Sequence, residues 1–203
     1  MILITGCARS GTSLTAAICR ALGASLGATN TLNECGAIRD GIVKPYIRAL
    51  GCDPLCQHPL PTPDRARAHP LPRLREAVLA HLPGRRPCYK GAKMCHIWPL
   101  WSDAFPEARW VIVRRDRDRI VDSCLRTPFM RAYDTREGWE RWHDVHLQRF
   151  AEMRESLTVL EVWPDREMAR PEPYREMADF LGLPYRVGDV RGQIRPALWH
   201  AGG

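Results

Sequence analysis

The chain has 203 residues, of which 45% are hydrophobic, and it carries a formal net charge of +7 at pH 7. The hydrophobic fraction is sufficient for a packed core and excludes a disordered chain, and the length predicts a single domain over residues 1–203. The positive charges are spread along the sequence, which argues against a nucleic-acid-binding tail or a polybasic membrane anchor and favours small anions such as nucleotides as partners.

The N-terminus contains no pattern typical of a secretory signal, because Met1 leads directly into an apolar, strand-like run. No apolar stretch approaches the roughly 20 residues that are needed to cross a bilayer. We therefore expect a cytoplasmic protein without a membrane segment, in which the eight cysteines are thiols.

The N-terminal segment predicts a strand, a glycine loop and a helix. Residues 1–5 are apolar and rich in β-branched side chains, Gly6 and Gly11 bound a tight turn, and residues 12–22 have helical periodicity. A strand, a glycine loop and a helix N-terminus together direct several backbone N–H groups at an anion, so we predict a phosphate site. The alternative is a glycine turn that only joins the strand to the helix.

This loop departs at one position from the P-loop pattern G-x-x-x-x-G-K-[ST]. Gly6, Gly11 and Ser13 match the pattern, whereas Thr12 stands where the lysine should be. That lysine normally reaches the β- and γ-phosphates. A cation is present instead at Arg9, inside the loop. We expect from this a P-loop relative that binds a phosphate without ordinary Mg-ATP chemistry.

Helical and strand-like patterns alternate along the rest of the chain. Helices are predicted for residues 37–50, 71–82, 97–105, 114–126, 136–156 and 173–181, and strands for residues 87–90, 108–113 and 157–162. Residues 52–72 form a proline-rich loop, which is either a flexible flap or a plain surface excursion. The residues after 184 have no clear periodicity. The alternation predicts an α/β fold, a doubly wound parallel sheet of about four or five strands with helices on both faces, similar to P-loop proteins.

A second set of anion-binding side chains follows the strand predicted for residues 108–113. Arg115 comes directly after this strand, and Ser123 lies eight residues later, about two helical turns along. Because ligands of doubly wound sheets bind beyond the carboxyl ends of the strands, this pair and the glycine loop are expected to face one crevice. The competing interpretation is a self-paired cluster of Arg and Asp side chains at a helix start, and this segment by itself favours it.

Two groups of cysteine and histidine residues suggest a metal site by their proximity in sequence: Cys52, Cys56 and His58, and Cys88 with Cys95 and His96. Neither group contains the C-x-x-C spacing of structural zinc sites. We therefore predict no metal and interpret these cysteines as small buried residues and loop thiols.

In combination, these segments resemble the sulfotransferase superfamily, in particular the bacterial members that use 3′-phosphoadenosine 5′-phosphosulfate (PAPS). The run from Ile4 to Ser13 is similar to the family's 5′-phosphosulfate loop, in which Arg or Lys precedes Ser-Gly-Thr. The strand ending at Val113, followed by Arg115 and Ser123, is similar to the family's 3′-phosphate motif. The first of these motifs is fairly specific and the second moderately so.

Weaker similarities extend over most of the chain. Residues 89–101 resemble the family's Lys-Asp-Pro-Arg segment and the helix after it, Glu34 stands at an acidic position of these enzymes, and residues 159–184 resemble their late strand and helix. The chain departs from the family at Arg117, where proline is usual, and at Gly91-Ala92, where Asp-Pro is usual. Neither departure removes a group that cofactor binding needs.

The resemblance implies how PAPS, or its product 3′-phosphoadenosine 5′-phosphate (PAP), would be bound. The 3′-phosphate is expected on Arg115 and Ser123. The 5′-phosphate and sulfonate oxygens are expected on groups of the glycine loop, namely the Arg9 cation and the backbone amides of Ser10, Gly11, Thr12 and Ser13.

Three further residues are candidates for the chemistry. Lys90 is expected near the leaving-group oxygen, like the lysine in the matching segment of tyrosylprotein sulfotransferases, and a surface lysine at a strand end is the alternative. Glu34 is the first candidate for a general base, with an acid in the first turn of a helix as the alternative. His96 is the second candidate, although a lone histidine beside apolar residues is more often a core residue.

The sequence thus predicts a PAPS-dependent sulfotransferase that moves a sulfonate to a hydroxyl or amine of a small-molecule or glycan acceptor, by in-line attack and without a metal. Segments 52–72 and 128–135 are expected to select the acceptor. One alternative is a P-loop kinase for a small metabolite. Thr12 argues against it, because it stands at the position of the P-loop lysine, and Asp116 is the only acceptable candidate for a magnesium-binding acid at a strand end. The other is a non-catalytic nucleotide- or nucleic-acid-binding module, which lacks support from any charge run or recognised motif.

Overall fold

The computed structural model describes residues 1–167 and 171–194. Its centre is a sheet of four parallel strands, β1 (Ile2–Gly6), β2 (Cys88–Lys90), β3 (Arg109–Val113) and β4 (Val159–Val162). The strands lie in the order β2-β1-β3-β4, and Ile4 of β1 pairs with Lys90 on one side and Val111 on the other. The parallel sheet and the helices around it confirm the predicted α/β fold class.

Helices surround this sheet. In the described residues they are α1 (Thr12–Ala21), α2 (Gly36–Ile38), α3 (Lys44–Ala49), α4 (Pro63–Ala68), α5 (Leu74–Leu79), α6 (Trp98–Ala104), α7 (Arg117–Arg126), α8 (Arg136–Ser156), α9 (Pro164–Glu167), α10 (Pro173–Leu181) and α11 (Val187–Gln193). A π-helical turn, Arg39–Val43, joins α2 to α3, and a 3₁₀-helix, Ala92–His96, follows β2. Within the described part of the chain, no helix is long and apolar enough to span a membrane.

Both faces of the sheet are buried, which explains why its strands are almost continuously apolar. Side chains alternate along each strand, so that Leu3 and Ile112 belong to one core cluster and Ile4 and Val111 to the other. The first cluster includes aromatic side chains of α6 and α8, and the second includes residues of α1 and α10. Each strand is therefore held from both sides, and the loops that follow the strands begin at fixed positions.

The strand order creates a crevice at the carboxyl end of β1. The chain leaves β1 to form β2 on one side and then forms β3 on the other side, so the connections diverge between β1 and β3. Ligands of doubly wound sheets bind at such a switch point. The glycine loop after β1, the 3₁₀-helix after β2 and the start of α7 after β3 all lie at this edge of the sheet.

Most predicted helices are confirmed, and those at residues 136–156 and 173–181 have the predicted bounds. The proline-rich segment is more regular than expected because it contains α4. Thr62 Oγ1 accepts a hydrogen bond from the Arg65 amide, and Pro63 stands in the first turn, where proline is favourable. A cap and a proline at the right position therefore start a short helix within a segment that could not form a long one.

The helix α11 has no counterpart among the predicted elements. Its seven residues include Gly188 and Gly192, and Val190 is its one buried side chain. This helix packs against α1, so a tertiary contact outweighs weak helical propensity. The chain beyond residue 194, for which no periodicity was expected, lies outside the described residues.

Candidate functional site

The glycine loop after β1 depends on close packing that only glycine permits. A Cβ atom at Gly6 would lie 2.5 Å from the Val113 carbonyl oxygen and 2.7 Å from Ser10 Oγ. Gly11, which caps α1, has φ of 101°, in the left-handed region that favours glycine. Arg9 also has a positive φ, 72°, which is uncommon for a non-glycine residue and is concentrated at functional sites. The loop is thus held tightly against the end of β3.

Unused hydrogen-bonding groups line the inside of this loop. The Ser10 side chain is buried, and its hydroxyl has no hydrogen-bond partner among residues 1–167 and 171–194. The amides of Thr12 and Ser13 belong to the first turn of α1, where backbone N–H groups have no helical acceptor. The helix dipole adds positive potential at the same point. The loop therefore has the donors and the field of an anion site.

Lys90, at the end of β2, places a cation next to this loop. Its side chain is only 2% exposed, and its Nζ atom lies 3.0 Å from Glu34 Oε1 and 3.5 Å from Ser13 Oγ. The Asn33 side-chain amide donates to the Ser13 carbonyl oxygen at 3.2 Å, which fixes the segment before α2 against α1. The fold thus brings together Lys90, Glu34 and Ser13, which are far apart in sequence.

Glu34 is held by two cations. Besides Lys90, it forms an ion pair with Arg39 in the π-helical turn. Burial acts to raise the pKa of Glu34, but the charges and hydrogen bonds of Lys90 and Arg39 outweigh this effect and lower the pKa below its ordinary value. Burial also lowers the pKa of Lys90, against the opposing attraction of Glu34. Glu34 is therefore a carboxylate at neutral pH, and it makes its salt bridge to Lys90 in a partly buried position.

Arg39 and a cavity beside it are features of the site that were not predicted from the sequence. This cavity of about 330 Å³ is lined by Glu34 and Arg39 together with residues before α2 and His81. Sequence spacing gave no signal for Arg39, because it stands five residues after Glu34 and not at the i,i+3 or i,i+4 spacing of facing helical residues. The cavity lies next to the carboxylate that the sequence singled out.

The second predicted set of anion-binding residues also reaches the loop. The Arg115 guanidinium donates to the Arg9 carbonyl oxygen at 2.9 Å, and Arg9 Nε donates to Ser123 Oγ at 2.9 Å. Arg9, Arg115 and Ser123 therefore form one cluster on the β3 side of the loop, away from Lys90. Asp116, the candidate magnesium-binding acid of the kinase alternative, accepts a hydrogen bond from the Arg119 amide. Its carboxylate therefore caps α7.

His96 lies apart from these groups. It is fully buried, and its Nε2 atom is 3.0 Å from Nε2 of His146 in α8. Burial, followed by the influence of His146, lowers the pKa of His96 well below its ordinary value. Cys88, which the sequence grouped with Cys95 and His96, belongs to the core cluster on the opposite face of the sheet.

The two segments expected to select an acceptor are joined by one buried side chain. Gln57 Nε2 donates to the Phe129 carbonyl oxygen at 2.7 Å, and Gln57 Oε1 accepts from the Arg131 and Ala132 amides at 2.8 and 3.2 Å. These three bonds connect the proline-rich segment to the loop between α7 and α8. The proline-rich segment is thus anchored at Gln57, and His58 next to it lies with Nδ1 3.4 Å from the Tyr133 hydroxyl.

Comparison with known proteins gives a fold relationship. No family model matches the sequence, and no curated protein sequence matches it. Among solved structures, the fold is similar to the crystal structure of sulfotransferase STF1 from Mycobacterium tuberculosis H37Rv, with a TM-score of 0.53 and 15% sequence identity over 97% of this chain and 70% of that one. The chain therefore has a sulfotransferase-like α/β fold.

Proposed function

We propose that this protein is a PAPS-dependent sulfotransferase that transfers a sulfonate to a hydroxyl or amine of a small-molecule or glycan acceptor. The observation that carries the proposal is the position of Lys90 Nζ, 3.0 Å from Glu34 Oε1 and 3.5 Å from Ser13 Oγ at the edge of the glycine loop. A cation and a carboxylate beside an anion loop are what transfer of a charged group to a nucleophile requires. The sulfotransferase-like fold supports the same reaction.

The residues at this edge of the sheet fit the two ends of PAPS. The Ser10 hydroxyl, which has no hydrogen-bond partner within the described part of the chain, and the amides in the first turn of α1 suit the oxygens of the 5′-phosphosulfate. Arg9, Arg115 and Ser123 suit the 3′-phosphate, since guanidinium groups and a hydroxyl are its usual donors. In the free protein Arg9 faces Ser123, so we assign its side chain to the 3′-phosphate side rather than to the sulfonate.

Lys90 would stabilise the charge that develops during transfer. When bound, PAPS would supply an activated sulfonate whose leaving group is the 5′-phosphate of PAP. Lys90 Nζ and the N-terminus of α1 would act on the developing negative charge at the bridging oxygen, and the burial of Lys90 strengthens this interaction. In the P-loop pattern a lysine stands where this chain has Thr12. Here Lys90, at the end of the neighbouring strand β2, would supply the cation instead.

Glu34 would accept the proton of the acceptor hydroxyl. Its lowered pKa keeps it ionised at neutral pH. When Lys90 turns toward an anionic oxygen, Glu34 loses one of the two cations that weaken it as a base, so its proton affinity rises at the moment of transfer. Arg39 would continue to hold the carboxylate in position. The adjoining cavity of about 330 Å³ is of a size that accommodates a small acceptor.

Calorimetric titration with PAP, in parallel with ATP in the presence and absence of Mg²⁺, tests this proposal. We expect PAP to bind without metal and to bind more tightly than ATP. The Lys90→Met variant should bind PAP more weakly, because the 5′-phosphate of PAP carries in full the charge that Lys90 stabilises during transfer.

Tighter binding of ATP with a requirement for Mg²⁺ would instead establish the kinase alternative. Absence of binding by either nucleotide, together with a strong dependence of oligonucleotide affinity on salt, would favour the non-catalytic binding module.

A further inference from the structure

We propose that Cys95, His96 and His146 form a binding site for one Zn²⁺ ion, which is separate from the proposed sulfonate transfer. The Cys95 sulfur and one ring nitrogen from each histidine lie within 4.8 Å of one another. The three side chains are fully buried, with exposed fractions of 0%, 0% and 1%. Buried thiols and imidazoles that converge in this way are the ligands of protein-bound zinc.

The cluster is built from two rigid elements. Cys95 and His96 end the 3₁₀-helix that follows β2, and His146 projects from the middle of α8, which packs against that 3₁₀-helix. The His146 Nδ1 atom lies 2.9 Å from the Trp142 carbonyl oxygen and donates its proton there. This bond leaves the Nε2 lone pair of His146 directed at the cluster, which is how second-shell carbonyl groups orient metal-binding histidines.

The hydrogen bonds within the cluster do not use all of its lone pairs. The Cys95 thiol donates to the Ala92 carbonyl oxygen at 3.2 Å, and His146 donates to Trp142. His96 Nε2 is 3.0 Å from His146 Nε2 and must carry the single proton between these two atoms. His96 Nδ1 then has a buried lone pair that no group in residues 1–167 or 171–194 meets. A cation bound by the two Nε2 atoms would take the place of this shared proton, which would move to His96 Nδ1.

The type of ligand selects the metal. One thiolate and two imidazoles suit Zn²⁺, whereas Mg²⁺ and Ca²⁺ prefer oxygen ligands that this cluster lacks among the described residues. On binding, the Cys95 S–H bond would break, its proton would pass to solvent, and the sulfur would bond to Zn²⁺ as a thiolate. The ion would then fasten the segment after Lys90 to α8.

The spacing of cysteine and histidine residues in the sequence does not reveal this site. By proximity in sequence, Cys95 and His96 group with Cys88, which lies on the other face of the sheet. The third ligand, His146, is 50 residues further along the chain and is one of two histidines in a long helix. Only the packing of α8 against the turn after β2 identifies it.

Titration of the chelator-treated, reduced full-length chain with Co²⁺, followed by displacement with Zn²⁺, tests the proposal. We expect one Co²⁺ per chain, a thiolate-to-cobalt charge-transfer band, and loss of that band when Zn²⁺ is added. Cys95→Ser should abolish the band, and His146→Gln should weaken metal affinity at least about 100-fold. Cys19→Ser and His143→Gln are matched controls, since both residues are buried outside the cluster.

Absence of a charge-transfer band in the wild type would overturn the proposal, and so would a band that persists in Cys95→Ser. If the variants do not fold, X-ray absorption of the Zn²⁺-loaded wild type decides the matter instead. One sulfur and two nitrogen neighbours would support the site, and a shell of oxygen atoms alone would refute it. None of these readouts depends on sulfonate transfer.

Discussion

The two sides of the glycine loop differ in how their cations are paired. On the β3 side, Arg9 and Arg115 donate to a hydroxyl and to a carbonyl oxygen. On the β2 side, Lys90 and Arg39 are both paired with the carboxylate of Glu34. The Arg9 guanidinium donates to a neutral hydroxyl and can exchange it for a phosphate at little cost, whereas an ion pair is suited to exchanging charge and protons during a reaction.

This contrast assigns binding to one side and chemistry to the other. The β3 side is expected to set the affinity for PAP and to have little effect on the rate of transfer once the cofactor is bound. The β2 side is expected to set the rate, because Lys90 acts on negative charge that the bridging oxygen gains during transfer. Substitutions on either side separate the two contributions, because kcat and the dissociation constant of PAP are measured independently.

The largest effect is expected for Lys90→Met, which removes the cation next to Ser13 while keeping most of the side-chain volume. We expect kcat for the formation of PAP from PAPS to fall roughly 100- to 1,000-fold, which is the usual cost of removing one group that stabilises charge in a transition state. Lys44→Met is the matched control, since Lys44 is ion-paired with Asp40 on the helix surface. Equal effects of the two substitutions would contradict the role of Lys90.

Glu34→Gln is expected to lower kcat about 100-fold, because the amide cannot accept the proton of the acceptor. The same variant should be less stable at pH 7 by about 1.5–3 kcal/mol, since Lys90 loses a buried, charged partner. Steady-state kinetics and urea unfolding measure the two effects. Unchanged turnover in a folded variant would remove Glu34 from the mechanism.

The stability effect of Glu34 should depend on pH with a defined sign. The pKa of Glu34 in the folded chain is below its ordinary value of 4.5, so its contribution is fully present above that value and is lost as the pH falls through the folded pKa. The difference in unfolding free energy between wild type and Glu34→Gln should therefore be constant from pH 7 to pH 6 and shrink below about pH 4.5. A difference that does not vary over this range would be inconsistent with the ion pairs of Glu34.

Gln57→Ala tests whether the acceptor-side segments act as one unit. It removes the hydrogen bonds of the Gln57 side chain and leaves the Arg131 and Ala132 amides without their acceptor. We expect a loss of about 1–3 kcal/mol in unfolding free energy and no measurable change in PAP affinity. A large loss of PAP affinity would show that these segments are not separate from the cofactor side.

Ser10→Ala should give the smallest effects, with opposite signs for stability and binding. The free protein should gain about 1 kcal/mol in unfolding free energy, because a buried hydroxyl without a partner is removed. PAP affinity should fall about 5- to 10-fold, because that hydroxyl is expected to bind a phosphate oxygen. A variant that loses stability as well as affinity would show that the hydroxyl already has a partner in the free protein.

The sequence predicted those features that depend on neighbouring residues. The glycine loop is contiguous, its strand and helix have clear periodicities, and the fold class follows from alternating elements. The roles proposed for Glu34 and Lys90 came from a family resemblance, and the fold brings these residues within 3.0 Å of each other. The cofactor and catalytic assignments themselves stay predictions.

Features that depend on distant residues could not be read from the sequence. The contact of Arg9 with Ser123 spans 114 positions, and the bonds of Gln57 span up to 75. The His96–His146 pair requires α8 to pack against the turn after β2. Propensity and spacing describe only local preference, whereas these contacts result from the packing of whole elements against the sheet.

The most direct test of the account is the preference for PAP over 5′-AMP, which differ by the 3′-phosphate alone. We expect the wild type to bind PAP about 10- to 100-fold more tightly than 5′-AMP. This preference should largely disappear in Arg115→Ala and be retained in Arg117→Ala, whose side chain is paired with Asp144 on the surface. Equal affinity of the wild type for the two nucleotides, or an unchanged preference in Arg115→Ala, would contradict the proposed cofactor site.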